Sequence, residues 1–79
     1  MVPKPMPVKL FFDKYHRQSR QARNILEDAK VDYDLVNLQE MSYGWVILES
    51  LTGEAHTPVL FADGIAYRGV EGVRDYLAR

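Results

Sequence analysis

Two histidines and a serine are the residues of this chain best suited to chemistry. His16 and Ser19 stand three apart in "FFDKYHRQSRQAR", residues 11–23, which is about one helical turn. An imidazole within reach of a hydroxyl is the base–nucleophile arrangement of covalent catalysis. A serine at a helix start also caps free backbone N–H groups, and that structural role is the stronger expectation for Ser19. The second histidine, His56, precedes Thr57-Pro58. Two imidazoles begin a metal site only if further ligands join them. Asp13 is the one obvious addition, so exposed loop histidines are expected and no metal is assigned. Lys14, Arg17, Arg20 and Arg23 form a basic run with no acid among them. Cations near a helix N-terminus oppose its dipole by roughly 0.3–1 kcal/mol each, which an anionic ligand or acidic partner would offset. The plainer reading is a solvated helix face with an Arg23–Glu27 pair.

The elements that would position these residues follow from apolar spacing. "VKLFF" (8–12) is short, apolar and aromatic, as a strand with a buried face requires. Ala22, Ile25, Leu26 and Ala29 fall at i, i+3, i+4, i+7, which predicts a helix over about 17–30. In "VDYDLVNL" (31–38), Val31, Tyr33 and Leu35 alternate with Asp32 and Asp34, the period of a strand. Residues 39–52 return to a helical period, with Met41, Trp45, Leu48 and Leu51 or Thr52 on one side and Gly53 as C′ residue. Asp63-Gly64 splits "PVLFADGIAY" (58–67) into two strands, a strong hairpin signal. Val70, Val73 and Leu77 space a last helix, with Glu71 at its positive end and Arg79 at its negative end. The order β-α-β-α-β-β-α makes the first βαβ unit a parallel, right-handed crossover, and the hairpin adds an antiparallel edge.

Composition narrows the function classes. The 79 residues suffice for one domain, which at this size buries only roughly 60% of its unfolded surface. Ten Lys and Arg against eleven Asp and Glu give a net charge of −1, so no general attraction to nucleic acid is expected. The chain has no cysteine, which removes disulfides, thiolate metal sites and thiol catalysis. No apolar run is long enough for a membrane helix. The start, "MVPKPMP", has three prolines and no apolar core of a signal peptide. Residues 1–7 are therefore expected to be a flexible lead-in, residues 8–79 one domain, and the cytoplasm the compartment.

The element order resembles the thioredoxin-like fold in its smallest form: a four-stranded mixed sheet with three helices. The local sequences resemble glutaredoxins. "SRQARNILEDAKVDYDLVNL" is similar to that family's first helix and second strand, where Arg-Gln-Ala commonly follows the second active-site cysteine. "LTGEAHTPVLFADGIAYRG" is similar to its Thr-Gly … Thr-Val-Pro … Phe-x-Asp-Gly stretch, and "GVEGVRDYL" to its last helix. Matching Arg20-Gln21-Ala22 places the two cysteine positions at His16 and Ser19, so Cys-Pro-Tyr-Cys becomes His-Arg-Gln-Ser. Imidazole and hydroxyl cannot replace sulfur in thiol–disulfide exchange, so the resemblance implies the scaffold without the redox reaction.

The resemblance further implies a groove for glutathione or an extended peptide. It would be built from Lys14, Tyr15 and His16 at the turn, Thr57 and a cis Pro58, and Val70 and Glu71 at the last helix start. Backbone groups at Thr57 would pair with the ligand like an added strand. Free N–H groups at Val70 would take a carboxylate and Glu71 an ammonium. Gly72 stands where the family often has a second acid. No cofactor is implied beyond glutathione as ligand, and a monomer or weak dimer is expected. Two other readings share the scaffold: a cysteine-substituted form of an active glutathione-dependent oxidoreductase, and a glutathione transferase-like N-terminal domain using a hydroxyl near the first helix.

Overall fold

The computed structural model describes residues 8–79; the expected lead-in 1–7 lies outside the described residues. Four short strands, β1 (Lys9–Phe12), β2 (Asp34–Asn37), β3 (Val59–Ala62) and β4 (Ile65–Arg68), alternate with α1 (Arg17–Asp28), α2 (Gly44–Thr52) and α3 (Gly69–Leu77). The sheet order is β2-β1-β3-β4. β1 pairs parallel with β2 and antiparallel with β3, which pairs antiparallel with β4. The expected mixed sheet with three helices is therefore present. Asp63 and Gly64 both have positive φ, 55° and 77°, as a two-residue hairpin turn of this hand requires. Among the described residues no helix is long and apolar enough to cross a membrane.

Strand alternation sorts the core into two layers. Leu10, Phe12, Leu60 and Ala62 point to one face of the sheet, where they meet Ala22 and Leu26 of α1 and Val73 of α3. Phe11 and Val59 point to the other, where they meet Leu38, just after β2, and Leu48 of α2.

Three sequence readings need correction. The first helix stops at Asp28, because Lys30 takes a left-handed conformation (φ 57°). The Lys30 and Val31 N–H groups donate back to the carbonyls of Glu27 and Leu26, closing the last turn without a glycine. The second strand shrinks to Asp34–Asn37: Val31 and Tyr33 still pack on the α1–α3 core, but Leu35 sits exposed on the sheet's edge strand. The second helix begins at Gly44, after turns in which Met41 N–H donates to Asn37 O and Gly44 N–H to Met41 O. Thr52 rather than Leu51 completes its inner face; Leu51 is exposed.

Gly72 has a packing role that its place in the sequence did not reveal. A Cβ there would lie 2.6 Å from the carbonyl carbon of Tyr67. α3 therefore approaches β4 more closely than any side chain permits, and a second acid at this point is sterically excluded. Gly72→Ala is expected to lower stability by roughly 1–3 kcal/mol, the range for overpacking a tight contact. A urea midpoint equal to that of the unsubstituted chain would refute the close-contact argument.

Tyr33 reports on the same side of the molecule. Partial burial, the hydrogen bond its hydroxyl donates to Glu27 (2.9 Å) and that carboxylate's charge push its pKa from 10.0 up to about 12; Arg23 opposes them weakly. Glu27 is thereby engaged by Tyr33 rather than in the expected pair with Arg23. Since the folded state holds this proton more tightly, its contribution to stability is complete below pH about 10 and is lost as pH rises toward 12. In an alkaline absorbance titration one tyrosine should ionise near the top of that window, and Glu27→Gln should bring it down.

Candidate functional site

The turn between β1 and α1 forms the first wall of the site, and side chains from two directions hold it. Asp13 accepts the Tyr15 N–H on its carboxylate at 2.9 Å and the His16 N–H on its backbone carbonyl at 3.0 Å. Gln39, following β2, clasps the turn: its Nε2 donates to Asp13 Oδ1 (2.9 Å) while its Oε1 accepts the Lys14 N–H (2.9 Å). Arg20 closes the other side, donating from Nη1 to the Lys14 carbonyl at 2.8 Å. The basic run is thus divided in its uses. Arg20 braces backbone, the Arg23 guanidinium lies 5.1 Å over the Phe12 ring, and the Lys14 ammonium 5.0 Å over the exposed Tyr15 ring.

His16 is the N-cap residue of α1, yet its side chain caps no backbone group. Its Nδ1 lies 3.0 Å from Thr57 Oγ1 and 3.3 Å from Ser19 Oγ. Ser19 is the third helical residue and 0% exposed. The expected role of Ser19 as helix cap is therefore corrected: its hydroxyl serves the imidazole. Its role as a nucleophile is also closed off, because a fully buried Oγ has no approach for an external substrate.

The second wall is the loop from α2 to β3. The Thr57–Pro58 peptide bond is cis, and Pro58 is buried. Arg68 pins the loop, donating from Nη1 to Glu54 Oε1 (3.0 Å) and from Nη2 to the Thr52 carbonyl (2.6 Å). The third wall is the start of α3, where the Gly69 N–H donates to the Pro58 carbonyl at 2.7 Å. Gly69 has φ +70°, a conformation glycine adopts at little cost as the chain swings from strand into helix.

Beside this junction lies a cleft of about 280 Å³ whose lining includes Gln18 of α1, Glu54, His56, Thr57 and Pro58 of the loop, and Arg68 and Gly69; the turn at 13–16 braces it without lining it. Of the residues singled out in the sequence, Thr57 and Pro58 line it and His16 bonds to Thr57. Lys14, Tyr15, Val70 and Glu71 do not line it, although Val70 and Glu71 directly follow the lining Gly69. His56 also lines the cleft, and His16 touches it only through Thr57; no group of three metal-ligating side chains occurs among the described residues. The sequence reading missed Gln18, Glu54, Arg68 and Gly69. Gln18 lies inside the quoted turn and was open to discovery. The Glu54–Arg68 pair spans fourteen residues and has no local signal.

The lining also has an electrostatic pattern. Gln18 and Gly69 belong to the first turns of α1 and α3, so both helices direct their positive ends toward one cleft. Arg68 is neutralised by Glu54 in an exposed pair. Glu71 is the acid in the first turn of α3.

Scanned against family models and against curated protein sequences, the chain matches none. Solved structures do match. Glutaredoxin C1 from poplar (Populus tremula x tremuloides), in its holo form, is 26% identical with a TM-score of 0.75, over 92% of this chain and 68% of that one. A buckwheat glutaredoxin in complex with glutathione is 20% identical, TM-score 0.76, over 92% and 69%. A glutaredoxin from Archaeoglobus fulgidus is 13% identical, TM-score 0.80, over 95% and 89%. The chain thus has the glutaredoxin form of the thioredoxin-like fold and carries no cysteine in it.

The His16–Ser19 contact makes a stability prediction that needs no ligand. His16→Ala leaves the buried Ser19 hydroxyl without the partner it has here, at a cost of roughly 1–3 kcal/mol. Adding Ser19→Ala should recover part of that loss, so the two substitutions couple favourably in a double-mutant cycle read by urea unfolding. Strict additivity would mean that the two side chains do not depend on each other.

Proposed function

We propose that this chain is a thiol-free glutaredoxin-like domain that binds glutathione, or an extended peptide of similar backbone, and does not exchange disulfides. The groove would run along the 13–16 turn, Thr57–Pro58 and the first turn of α3. Lys14, Tyr15, His16, Thr57, Pro58, Val70 and Glu71 would be its ligand contacts. The domain boundary at residues 8–79 belongs to the same reading.

The observation that carries it is the His16–Thr57 contact. With both sulfurs gone, the position of the first cysteine still meets the loop before the proline, at 3.0 Å. The replaced residues do not leave a gap; they knit two walls of the cleft together. Support also comes from charge. Glutathione carries two carboxylates and one ammonium near neutral pH, and two helix N-termini with one nearby acid suit that balance. The buckwheat glutaredoxin that shares this fold forms a glutathione complex. The absence of redox turnover follows from chemistry: the exchange reaction needs a thiol or disulfide sulfur on each partner, and this chain has no cysteine to supply one. The buried Ser19 weighs against the transferase-like reading, in which a hydroxyl must reach the ligand's thiol.

The test is a titration of reduced glutathione into ¹⁵N-labelled protein, run beside a glutathione-dependent disulfide-reduction assay. Amide shifts at Thr57, Gly69 and Glu71, with no reduction above the uncatalysed rate, are expected. Silence at those amides at millimolar glutathione would remove the ligand part, and turnover would remove the redox-inactive part.

A further inference from the structure

We infer that the first cysteine position has been converted from a nucleophile into a fixed hydrogen-bond donor. Ser19 and Thr57 hold His16 as the Nε2–H tautomer, so the cleft selects a ligand that offers an anionic acceptor to that nitrogen. The selection rests on reading the cleft as a glutathione or peptide groove; the tautomer does not.

The argument begins with the buried hydroxyl. A neutral imidazole has one N–H and one acceptor nitrogen. Here a single nitrogen, Nδ1, is approached by two hydroxyls, Thr57 Oγ1 at 3.0 Å and Ser19 Oγ at 3.3 Å. If Nδ1 carried the proton, it would donate to the nearer oxygen, that of Thr57. Ser19, 0% exposed, would then hold an O–H with no acceptor, since the ring is the hydrogen-bond partner the structure gives that side chain. A buried donor left without a partner is costly. With Nδ1 unprotonated, its one lone pair accepts the O–H of the buried Ser19, while the Thr57 hydroxyl, only partly buried, is free to turn to solvent. No buried side-chain polar atom among the described residues lacks a partner, and an unprotonated Nδ1 is what gives the Ser19 O–H itself an acceptor.

The consequence falls on the other nitrogen. Nε2 then carries the proton permanently, at the N-cap residue of a twelve-residue helix whose first-turn N–H groups are also donors. Donors gathered in this way match an anion, and glutathione offers two kinds, its thiolate and its carboxylates. A sulfur held at Nε2–H stays intact, because no bond to it forms.

The tautomer is read from long-range ¹H–¹⁵N correlations of the histidine ring in the full chain at mildly alkaline pH, where imidazole is neutral. Signals absent from His16→Gln identify His16. Expected are a protonated Nε2 and a pyridine-like Nδ1, giving way to a tautomer mixture in Ser19→Ala/Thr57→Val. A protonated Nδ1 or a mixture in the unsubstituted chain overturns the inference, as does a double variant with unchanged ring signals. A second arm titrates reduced glutathione and S-methylglutathione into the chain and into His16→Ala. Loss of affinity by roughly tenfold, as for a bond to a charged acceptor, supports the donor. Loss for glutathione alone assigns the thiolate, and loss for both ligands assigns a carboxylate. Unchanged affinity overturns the donor role. No binding by either ligand to the unsubstituted chain overturns the groove reading and the selection with it, while the ring signals still decide the tautomer.

Discussion

A single backbone hydrogen bond, from the Gly69 N–H to the Pro58 carbonyl at 2.7 Å, holds the cleft in shape. It joins the loop before β3 to the first residue of α3, at the end of the sheet where Val59 pairs with Arg68. One strand register therefore fixes how far the loop can stand from the helix start. The side chain of Arg68 reinforces the same junction from outside through Glu54 and the Thr52 carbonyl. An exposed ion pair alone contributes little. The bond to a backbone carbonyl makes this arginine a brace, because it restrains main chain rather than another mobile side chain. The β1–α1 turn is restrained independently by Asp13, Gln39 and Arg20, so two separately fixed loops face each other. The His16–Thr57 bond closes the distance between them.

That bond shows how a reactive position becomes a structural one without loss of the fold. A thiolate at a helix N-terminus is stabilised by the dipole and kept available. Imidazole and hydroxyl act there through hydrogen bonds, and what matters is whether their donors and acceptors match. Ser19 lies among the innermost residues of α1, beside Ala22 and Leu26 on the same stripe. Its hydroxyl is tolerated in that company because the ring nitrogen accepts it. The pair is a small polar inclusion at the edge of the α1–α3 core, and its members depend on each other.

The fold was legible from the chain because its signals are local: the short apolar and aromatic run "VKLFF", the i, i+3, i+4, i+7 stripe of α1, and Asp63-Gly64 at the hairpin. Boundaries were less so, for identifiable reasons. Lys30 ends α1 in a conformation usually left to glycine, so composition gave no stop signal. Met41 continues the helical spacing of Trp45 and Leu48, but residues 39–43 are held as turns by bonds back to Asn37 and Met41. Within the site, Thr57 and Pro58 were found from the family likeness, whereas Glu54 and Arg68 meet only through folding. Ser19 was noticed for the right partner, His16, and the wrong purpose. A pattern three residues apart says that two groups can meet, and burial decides what the meeting does.

Gly72 carries the argument about charge furthest. Read as a sequence position, it looks like an acid lost from a ligand contact. In the structure it is the point where α3 touches the backbone of Tyr67, 2.6 Å from where a Cβ would be. Helix position and local charge are therefore one constraint: bringing α3 this close to β4 forbids a second carboxylate at that point. Glu71 remains as the acid of that first turn. Packing alone, without any selection for charge, is sufficient to leave this helix start with one carboxylate rather than two.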